Sequence, residues 1–328
     1  MRKTLDAIFA GLLATFMLTA TLPVLAQTPE ALFPTKPLRF MIGFGPGGST
    51  DLMSRMIALK LAERLGQPVV AELRSGASGT IAADAVAKAP PDGHTLILLT
   101  GAHPVTGVMM RSLPFDPVRD LAMVSTVVSY PIAIVVVAGS PFRSIEDLLA
   151  AARSGPRKVS FGTAGTGSGQ HLIGEWIGVE AGLEFLHVPF RGGSASLTEL
   201  LAGRIDMTLD TLTSALPQIR AGKTRALAVT TRESSRFLPE VPPIARVVPQ
   251  VDFSSWAGVA TTGGTPPTIV ARLNREMHAV LRLPEVRQQL ENLGGETSPS
   301  SPEEMRALVE REMARWAKVV ASRGIERQ

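Results

Sequence analysis

The sequence predicts an α/β protein of two lobes that ends in a helical segment. Apolar runs of strand length alternate with amphipathic runs of helix length through most of the chain, which is typical of parallel α/β sheets. Several strand-like runs are continuously apolar, as expected for strands covered on both faces. These runs are too many for one compact sheet, and residues 266–322 are almost all helical, so we expect two lobes.

The elements follow one another in a regular order. The predicted strands are Leu38–Ile42, Pro68–Glu72, His94–Thr100, Ile132–Ala138, Lys158–Phe161, Phe185–Val188, Ile205–Leu209, Ala226–Thr230 and Trp256–Ala260. The predicted helices between them are Leu52–Leu65, Ile81–Lys88, Ile145–Ala152, Leu172–Ala181, Leu197–Ala202 and Ala215–Ala221. Three C-terminal helices are predicted to begin near Pro267, Pro284 and Pro302, because proline suits the first helical turn.

Helix ends are marked as clearly as helix starts. Gly66, Gly203 and Gly222 each follow a helical run, and glycine just past a helix end accepts left-handed geometry. Ser144 begins a capping box with Asp147 in the place of Glu.

The lobes are predicted to be discontinuous in sequence. We place lobe one at residues 33–129 together with 252–328, and lobe two at residues 130–251. The proline-rich stretch Pro239–Pro249 is a plausible return path between them.

The N-terminus, residues 1–26, is typical of an export signal. Arg2 and Lys3 form a basic start, Ala7–Leu18 is apolar, and the small residues that end at Ala26 suit a cleavage site. No cysteine follows that site, so a lipid anchor is not indicated. The remaining chain is long enough for two domains of ordinary size.

The composition excludes several classes of function. The absence of cysteine excludes disulfides, thiol catalysis and thiolate metal sites. The net charge is only +4 and aromatic residues make up 5% of the chain, so neither a basic stripe nor a stacking platform for nucleic acid is visible.

The most informative feature is a glycine-rich turn, Gly43–Asp51, between a predicted strand and a predicted helix. Its Ser-Thr-Asp ending is typical of a helix start. A helix start presents unpaired N–H donors and about half a positive charge, which suits a bound anion. The turn is interpreted as a small-anion site, with a purely structural turn and a dinucleotide site (Gly43, Gly45 and Gly48, with Glu72 for the ribose) as alternatives.

A second glycine-rich turn, Gly162–Gln170, also lies between a predicted strand and a predicted helix, where α/β proteins bind ligands. Thr163, Thr166, Ser168 and Gln170 supply neutral donors in it. Two such turns suggest two opposing parts of one site that close on an anionic ligand. The alternative is that the second turn is a surface loop.

Two further candidates follow later strands. Arg191 lies in the segment Pro189–Ser194. Its side chain is expected either to pair with a ligand carboxylate through two hydrogen bonds or to be exposed to solvent. Asp210 follows a predicted strand. Its carboxylate is expected either to accept a hydrogen bond from a ligand N–H or to hold a loop by hydrogen bonds.

The sequence lacks the common motifs of catalytic and metal-binding sites. The chain has neither the G-x-S-x-G motif nor a P-loop lysine, and its histidines never form H-x-x-x-H. His171 and Glu175 are four residues apart on a predicted helix, a spacing that would let both bind one metal ion. His171 is better interpreted as capping or lining the helix start. An exported hydrolase that uses Ser49 or Ser168 stays open as an alternative, since its partner residues would be distant in sequence.

Together these motifs resemble the periplasmic solute-binding proteins of tripartite tricarboxylate transporters, the Bug family. The resemblance extends from Phe33 almost to the end of the chain. It is carried by Phe44–Asp51, Gly79–Lys88, Pro91–Gly93, Leu113–Pro117, Gly162–Leu172, Val188–Gly193, Leu201–Asp206, Ala221–Thr230 and Gly264–Pro267.

The resemblance implies a two-lobed, Venus-flytrap binder without catalytic residues, metal or cofactor. It implies a periplasmic monomer that captures a small carboxylate with backbone amides, hydroxyls and bridging waters, for membrane transporter subunits or a sensor. The residues that would line the cleft by this analogy are Pro46, Gly47, Gly48, Ser49, Thr50, Thr163, Ala164, Gly165, Thr166, Gly167, Ser168, Gln170, His171, Phe190, Arg191, Gly192, Gly193 and Asp210.

Overall fold

Strands and helices alternate in the predicted order. The computed structural model describes residues 33–190 and 193–328, without the side chains of Gly193 and Ser194. The predicted export signal, residues 1–26, lies outside the described residues, as do Arg191 and Gly192.

The described residues form ten strands and ten α-helices. The strands are β1 (Leu38–Ile42), β2 (Val69–Leu73), β3 (Thr95–Thr100), β4 (Leu121–Val137), β5 (Ser160–Thr163), β6 (Leu186–Pro189), β7 (Met207–Thr211), β8 (Thr224–Val229), β9 (Ser254–Thr262) and β10 (Glu296–Thr297). The helices are α1 (Ser49–Leu65), α2 (Thr80–Ala87), α3 (Ala102–Met109), α4 (Ile145–Arg153), α5 (Gly169–Ala181), α6 (Gly193–Leu201), α7 (Leu212–Arg220), α8 (Pro267–Leu281), α9 (Pro284–Asn292) and α10 (Pro302–Arg323).

Two groups of strands share one long strand, β4. Along the sheet the order is β2-β1-β3-β9-β4-β7-β5-β6, with β8 and β10 also paired to β4. The residues of β4 up to Pro131 pair with β9, and those from Ile132 onward pair with β7 and β8. The change of partner at Pro131 therefore divides the α/β structure into two sheets, as the prediction of two lobes requires.

The pairing is parallel in the outer strands and antiparallel around β4. Strands β1, β2 and β3 pair in parallel, as do β5, β6 and β7, which fits the predicted strand–helix alternation. The strands β4 and β9 run antiparallel to their neighbours in the sheet. The α/β class is confirmed, and the sheets are mixed because these two strands are inserted among parallel units.

The predicted helix boundaries are confirmed where a cap specifies them. Gly66 adopts the left-handed conformation (φ 69°) at the end of α1. Ser144 and Asp147 form the predicted capping box at the start of α4. The three C-terminal helices begin at the three predicted prolines.

Two elements near the centre of the fold were not predicted. The first half of β4 contains buried Ser125 and Thr126, whose polar side chains interrupt the apolar run that marks a strand. Helix α3 contains Pro104 and Gly107, which usually break helices. Pro104 is tolerated because it lies in the first turn, where its missing N–H has no partner to lose.

The C-terminal helix α10 contributes to two of the hydrophobic clusters formed by the described residues. Met305 and Val309 pack with the core that includes Trp256, whereas Trp316 packs with Trp176 and Phe253. Residues Pro34–Gln328 form one compact unit, and the lobe boundaries given above stay a prediction.

Candidate functional site

The first glycine turn is fixed by the helix that follows it. Gly47 has φ +76°, which favours glycine, and its N–H donates to Asp51 Oδ2 at 2.9 Å. Arg55 Nε donates to the other oxygen of Asp51 at 2.7 Å. The Gly47 N–H and the Arg55 guanidinium lower the pKa of Asp51, so that its carboxylate stays ionised. The helix α1 consequently starts at Ser49 with its first-turn amides free of intrahelical partners.

The second glycine turn uses the same construction with a neutral acceptor. Gly167 has φ +74°, and its N–H donates to His171 Nδ1 at 3.0 Å. Ser168 is the N-cap of α5, where its Oγ accepts from the N–H of His171 at 3.3 Å. In both turns the third helical residue accepts from a turn amide four residues earlier. This contact fixes the turn and leaves the helix start exposed.

Gln170 ties the second turn to the end of β7. Its Oε1 accepts from the N–H of Ala164 at 2.8 Å, and its Nε2 donates to Asp210 Oδ1 at 2.7 Å. The hydroxyl of Thr208 donates to the other oxygen of Asp210, also at 2.7 Å. Burial raises the pKa of Asp210, against the opposing effect of these two hydrogen bonds. Asp210 therefore holds a loop, which is one of the two roles considered for it from the sequence.

A cavity of about 360 Å³ brings four helix starts together. Its wall includes the first residues of α1 and α5, and also residues from the starts of α3 and α7. These first-turn residues are Ser49, Thr50, Ala102, Gly169, Gln170 and Thr213. A helix start carries first-turn N–H groups without intrahelical partners and a partial positive charge, so the four dipoles favour negative charge in the cavity. At the start of α3 few of these donors are available, because the Ala102 N–H donates to Thr100 Oγ1 and Pro104 has no N–H.

A second part of the wall is apolar. It is formed by residues of β4, α3, α5, β7, α10 and the loops beside them, which we call the cavity floor. The floor consists of Phe44, Val105, Tyr130, Ile132, Ile173, Leu209, Phe253 and Trp316. The cavity thus has a polar rim of helix starts and an apolar floor, which is a common construction of small-molecule sites of roughly 300–1,000 Å³.

The cavity wall carries little formal charge. Among the described residues that form it there is no lysine, arginine or histidine, and Asp210 is the one ionisable carboxyl group. Any positive potential in the cavity that comes from these residues is therefore due to backbone dipoles.

The residues predicted from the sequence divide into three sets. Those in the cavity wall are Ser49, Thr50, Ala164, Ser168, Gln170 and Asp210. Those that shape or flank the two turns without forming the wall are Pro46, Gly47, Gly48, Thr163, Gly165, Thr166, Gly167, His171 and Phe190. Of the third segment, Gly193 begins α6, and Arg191 and Gly192 lie outside the described residues.

Sequence reasoning missed the helix starts of α3 and α7 and the whole floor. A signal existed for both helix starts, since Gly101 follows the end of β3 and Leu212 follows the end of β7. These are the same carboxyl strand ends at which ligands bind in α/β folds. The floor residues carry no such signal, because Tyr130 and Trp316 are far apart in the chain and look like ordinary core residues.

Three residues on which the alternative interpretations depend are held in other contacts. Ser168 Oγ caps a helix, and Glu72 makes a two-point ion pair with Arg39 at 2.6 and 2.7 Å rather than presenting a free carboxylate. Glu175, which shares a helix face with His171, forms an ion pair with Arg323, whose Nε lies 3.1 Å from its carboxylate. In the described part of the chain no three histidine or carboxylate side chains are grouped as metal ligands would be.

Comparison with known proteins agrees with the predicted resemblance. The model of the family described as "Tripartite tricarboxylate transporter family receptor" matches residues 53–325. The chain is similar to the protein BugT of Bordetella pertussis, with 33% identity over 93% of this chain and 94% of that protein. The predicted Bug family resemblance is confirmed.

Solved structures share the fold. Rpa4515 of R. palustris with adipate has a TM-score of 0.77 and 37% identity, and covers 90% of this chain and 99% of its own. MatC of Rhodopseudomonas palustris with bound malate has a TM-score of 0.74 and 30% identity, and covers 88% of this chain and 100% of its own. Among the helices described here, none combines the length and the apolar character that crossing a membrane requires.

Proposed function

This chain belongs to the tripartite tricarboxylate transporter receptor family, and we propose that it captures a small organic carboxylate in the cavity rimmed by the four helix starts. As a family member it is a solute-binding receptor, and ligands named for its relatives include adipate and malate. The observation that carries the proposal is the convergence of α1, α3, α5 and α7 on one cavity whose described wall has no cationic side chain.

Helix starts suit a carboxylate for two reasons. Their first-turn N–H groups are hydrogen-bond donors without intrahelical partners, and their dipoles favour negative charge by about 0.3–1 kcal/mol each at exposed sites. A carboxylate has four lone-pair positions, so several amides can bind it at once. The hydroxyls of Ser49, Thr50 and Ser214 add neutral donors at the rim, whereas the Thr213 hydroxyl already donates to the carbonyl oxygen of Leu293.

We propose that ligand capture is coupled to closure of the two sheets around the cavity. The rim residues come from both sides of the sheet change at Pro131, since α1 and α3 follow β1 and β3, whereas α5 and α7 follow β5 and β7. A ligand that contacts both sides binds the closed state better than the open state, and therefore shifts the population toward it. The ligand-binding residues in this proposal are the rim residues together with the turns that hold them.

Export to the periplasm and delivery to membrane transporter subunits or to a sensor complete the proposal. The family description supports a transporter partner, and the N-terminal sequence supports export. We propose a monomer without catalytic activity. The solute-binding family and the structural roles of the Ser168 hydroxyl and of Asp210 support the absence of catalysis in this proposal.

Ligand-dependent stabilisation tests the proposal. The protein is unfolded and refolded to remove copurified ligand, and its melting temperature is measured with mono-, di- and tricarboxylates, amino acids and aromatic acids. A ligand that binds only the folded state raises the melting temperature, by an amount set by its concentration relative to Kd. No shift with any compound, on protein that refolds with native circular dichroism, would contradict the proposal. Mass spectrometry of the released ligand identifies the natural one.

A further inference from the structure

Residues 325–328, which we call the strap, follow α10 and are fixed against the end of α3. The N–H of Gln328 donates to the carbonyl oxygen of Met109 at 2.8 Å, and the N–H of Arg111 donates to the carbonyl oxygen of Gln328 at 2.7 Å. The Nε of Arg111 donates to the carbonyl oxygen of Arg327 at 3.1 Å. Backbone and side-chain hydrogen bonds therefore hold the strap to one end of one helix.

The strap also reaches the second glycine turn. Gln328 Nε2 donates to the carbonyl oxygen of Thr166 at 2.8 Å, across 162 positions of the chain. A Cβ added at Gly167 would lie 2.8 Å from Met109 Cε and 3.4 Å from Gln328 Nε2. The strap and the end of α3 are thus both packed against the turn, and they leave no room for a side chain at Gly167.

This contact joins elements that follow strands of the two different sheets. Helix α3 follows β3, which pairs with β1 and β9, whereas the turn follows β5, which pairs with β6 and β7. Both elements contribute to the cavity wall. Helix α3 provides Ala102 and Val105, and the turn provides Ala164 and Ser168. The strap therefore connects two parts of the wall that the chain itself keeps far apart.

The other hydrogen bonds of the turn are local. Gln170 Oε1 accepts from Ala164 and His171 Nδ1 accepts from Gly167, and both acceptors lie on α5, the helix that begins at the turn. These bonds fix the shape of the turn, but they do not fix its distance from α3. The hydrogen bond from Gln328 does so, and it costs little further entropy, because the backbone of the strap is already held.

We propose that Gln328 is a positioning residue for the cavity, which holds the second glycine turn next to α3 and so favours the arrangement in which both form one wall. This inference rests on the proposed function, in which the ligand is captured as the two sheets close. A contact made only when the two sides are close stabilises the closed state, and ligand affinity rises with the population of that state. Gln328 itself is not part of the cavity wall, so it acts through the turn.

Amide hydrogen exchange of the refolded protein without ligand tests the hold on the turn. Gln328→Met keeps a long neutral side chain and removes the donor, so exchange in a peptide that covers residues 162–171 should be at least about twofold faster than in the wild type. Gln328→Lys keeps a donor and should restore the protection. Equal exchange in Gln328→Met and the wild type would overturn the inference.

Arg327→Met is the matched control for that comparison. Its side chain is exposed on the same strap and takes no part in the contact with Thr166, and its backbone carbonyl, to which Arg111 donates, is retained. We expect its exchange in residues 162–171 to equal that of the wild type. Faster exchange of equal size in both methionine variants would show a general loosening of the strap and would overturn the role of the Gln328 amide.

Calorimetric titration separates positioning from stability. The probe is adipate, the ligand in the structure of a relative with 37% identity. Gln328→Met should bind adipate about two- to tenfold more weakly, as expected for the loss of one hydrogen bond from the closed state, with little change in the melting temperature of the unliganded protein. A lower melting temperature with unchanged adipate affinity would make the contact purely structural and overturn the inference. A wild-type protein that binds no carboxylate in the broad screen contradicts the proposed function instead, because the exchange experiment needs no ligand.

Discussion

His171 and His187 stack directly beneath the second glycine turn, with ring centroids 3.7 Å apart and an interplanar angle of 14°. His171 Nδ1 accepts from Gly167, and His187 Nε2 is 2.7 Å from the hydroxyl of Thr163. Burial lowers the pKa of both rings to about 4, and for His171 the charge of His187 adds to this effect. Both rings are therefore neutral at pH 7, as the hydrogen bond from Gly167 to His171 requires.

The histidine pair predicts a loss of stability in acid. In the unfolded chain both imidazoles take up protons near pH 6.5, whereas in the folded protein they resist protonation until about pH 4. At these two positions the unfolded state therefore binds more protons across this window, and the contribution of the histidine pair to the free energy of unfolding falls as the pH is lowered from about 6.5 to 4. His171→Asn keeps an acceptor for Gly167 and removes one titrating group, so its profile should be flatter. Urea unfolding at several pH values measures both profiles.

The pH profile of the wild-type protein is compared with that of His171→Asn because other groups titrate in the same pH range. Glu175 lies 3.8 Å from His171 Nε2 and has a raised pKa through burial, and Arg323 pairs with it. If the difference between the two proteins does not change between pH 4 and 6.5, the stacked pair does not carry the pH dependence.

A charge placed at the first helix start should weaken anion binding. Gly48 is the N-cap of α1 and has ordinary backbone angles, and an added Cβ would meet only the carbonyl oxygen of Gly45, at 3.7 Å. Gly48→Asp therefore fits the fold, and aspartate is a favourable N-cap residue. Its charge should weaken carboxylate binding at least about fivefold, since like charges about 4 Å apart repel by on the order of 1 kcal/mol even in water. Calorimetric titration measures the change.

Gly48→Asn is the matched control for that experiment. Asparagine has nearly the same shape and capping ability as aspartate but no charge. If both variants bind as tightly as wild type, the first turn is not part of the binding site. If both lose affinity equally, the effect is steric rather than electrostatic.

The stability of the protein should be sensitive to the replacement of the Gln170 side-chain nitrogen by oxygen. In Gln170→Glu the group that donates to Asp210 becomes a carboxylate, so two acidic groups face each other in a buried position. We expect a loss of about 1–3 kcal/mol in stability at pH 7 from the unmade hydrogen bond alone, and partial recovery in acid when one carboxyl is protonated. Gln170→Met removes the hydrogen bonds without adding charge, so it should show a smaller recovery, which comes only from the further raised pKa of Asp210 after the loss of that hydrogen bond. A recovery of equal size in both variants, measured by thermal unfolding against pH, would contradict this expectation.

Glu312 on α10 predicts a pH effect of the opposite sign. Burial raises its pKa from the ordinary value of 4.5 to about 7, and the neighbouring Trp256 and the charge of Arg315 offset only part of this cost. The folded protein therefore holds this proton longer than the unfolded chain, and the contribution of Glu312 to stability falls as the pH rises from 4.5 to 7.

Replacing this carboxyl group by an amide should remove that penalty. Glu312→Gln should be more stable than wild type by about 1–3 kcal/mol at pH 8, and no more stable than wild type at pH 4. Chemical unfolding at the two pH values measures the difference. A variant that is destabilised equally at both would show that Glu312 is ionised and satisfied in the folded protein.

The sequence by itself specified the elements and the turns, because these depend on neighbouring residues. Gly47 and Gly167 adopt the positive φ values that tight turns favour, Gly66 ends its helix, and Ser144 caps the next one in the predicted way. The predicted strands before both glycine turns are also present. Local signals of this kind are independent of what the rest of the chain does.

Only the tertiary structure brought four helix starts and an aromatic floor to one cavity. Gln170 reaches Asp210 across 40 positions of the chain, and Tyr130 and Trp316 meet at the cavity from β4 and α10. These contacts depend on how β4 passes between the two sheets and on how α10 packs against two hydrophobic clusters. A pattern of neighbouring residues carries no information about such long-range pairing, whereas the free energy of burying apolar surface between distant segments decides it.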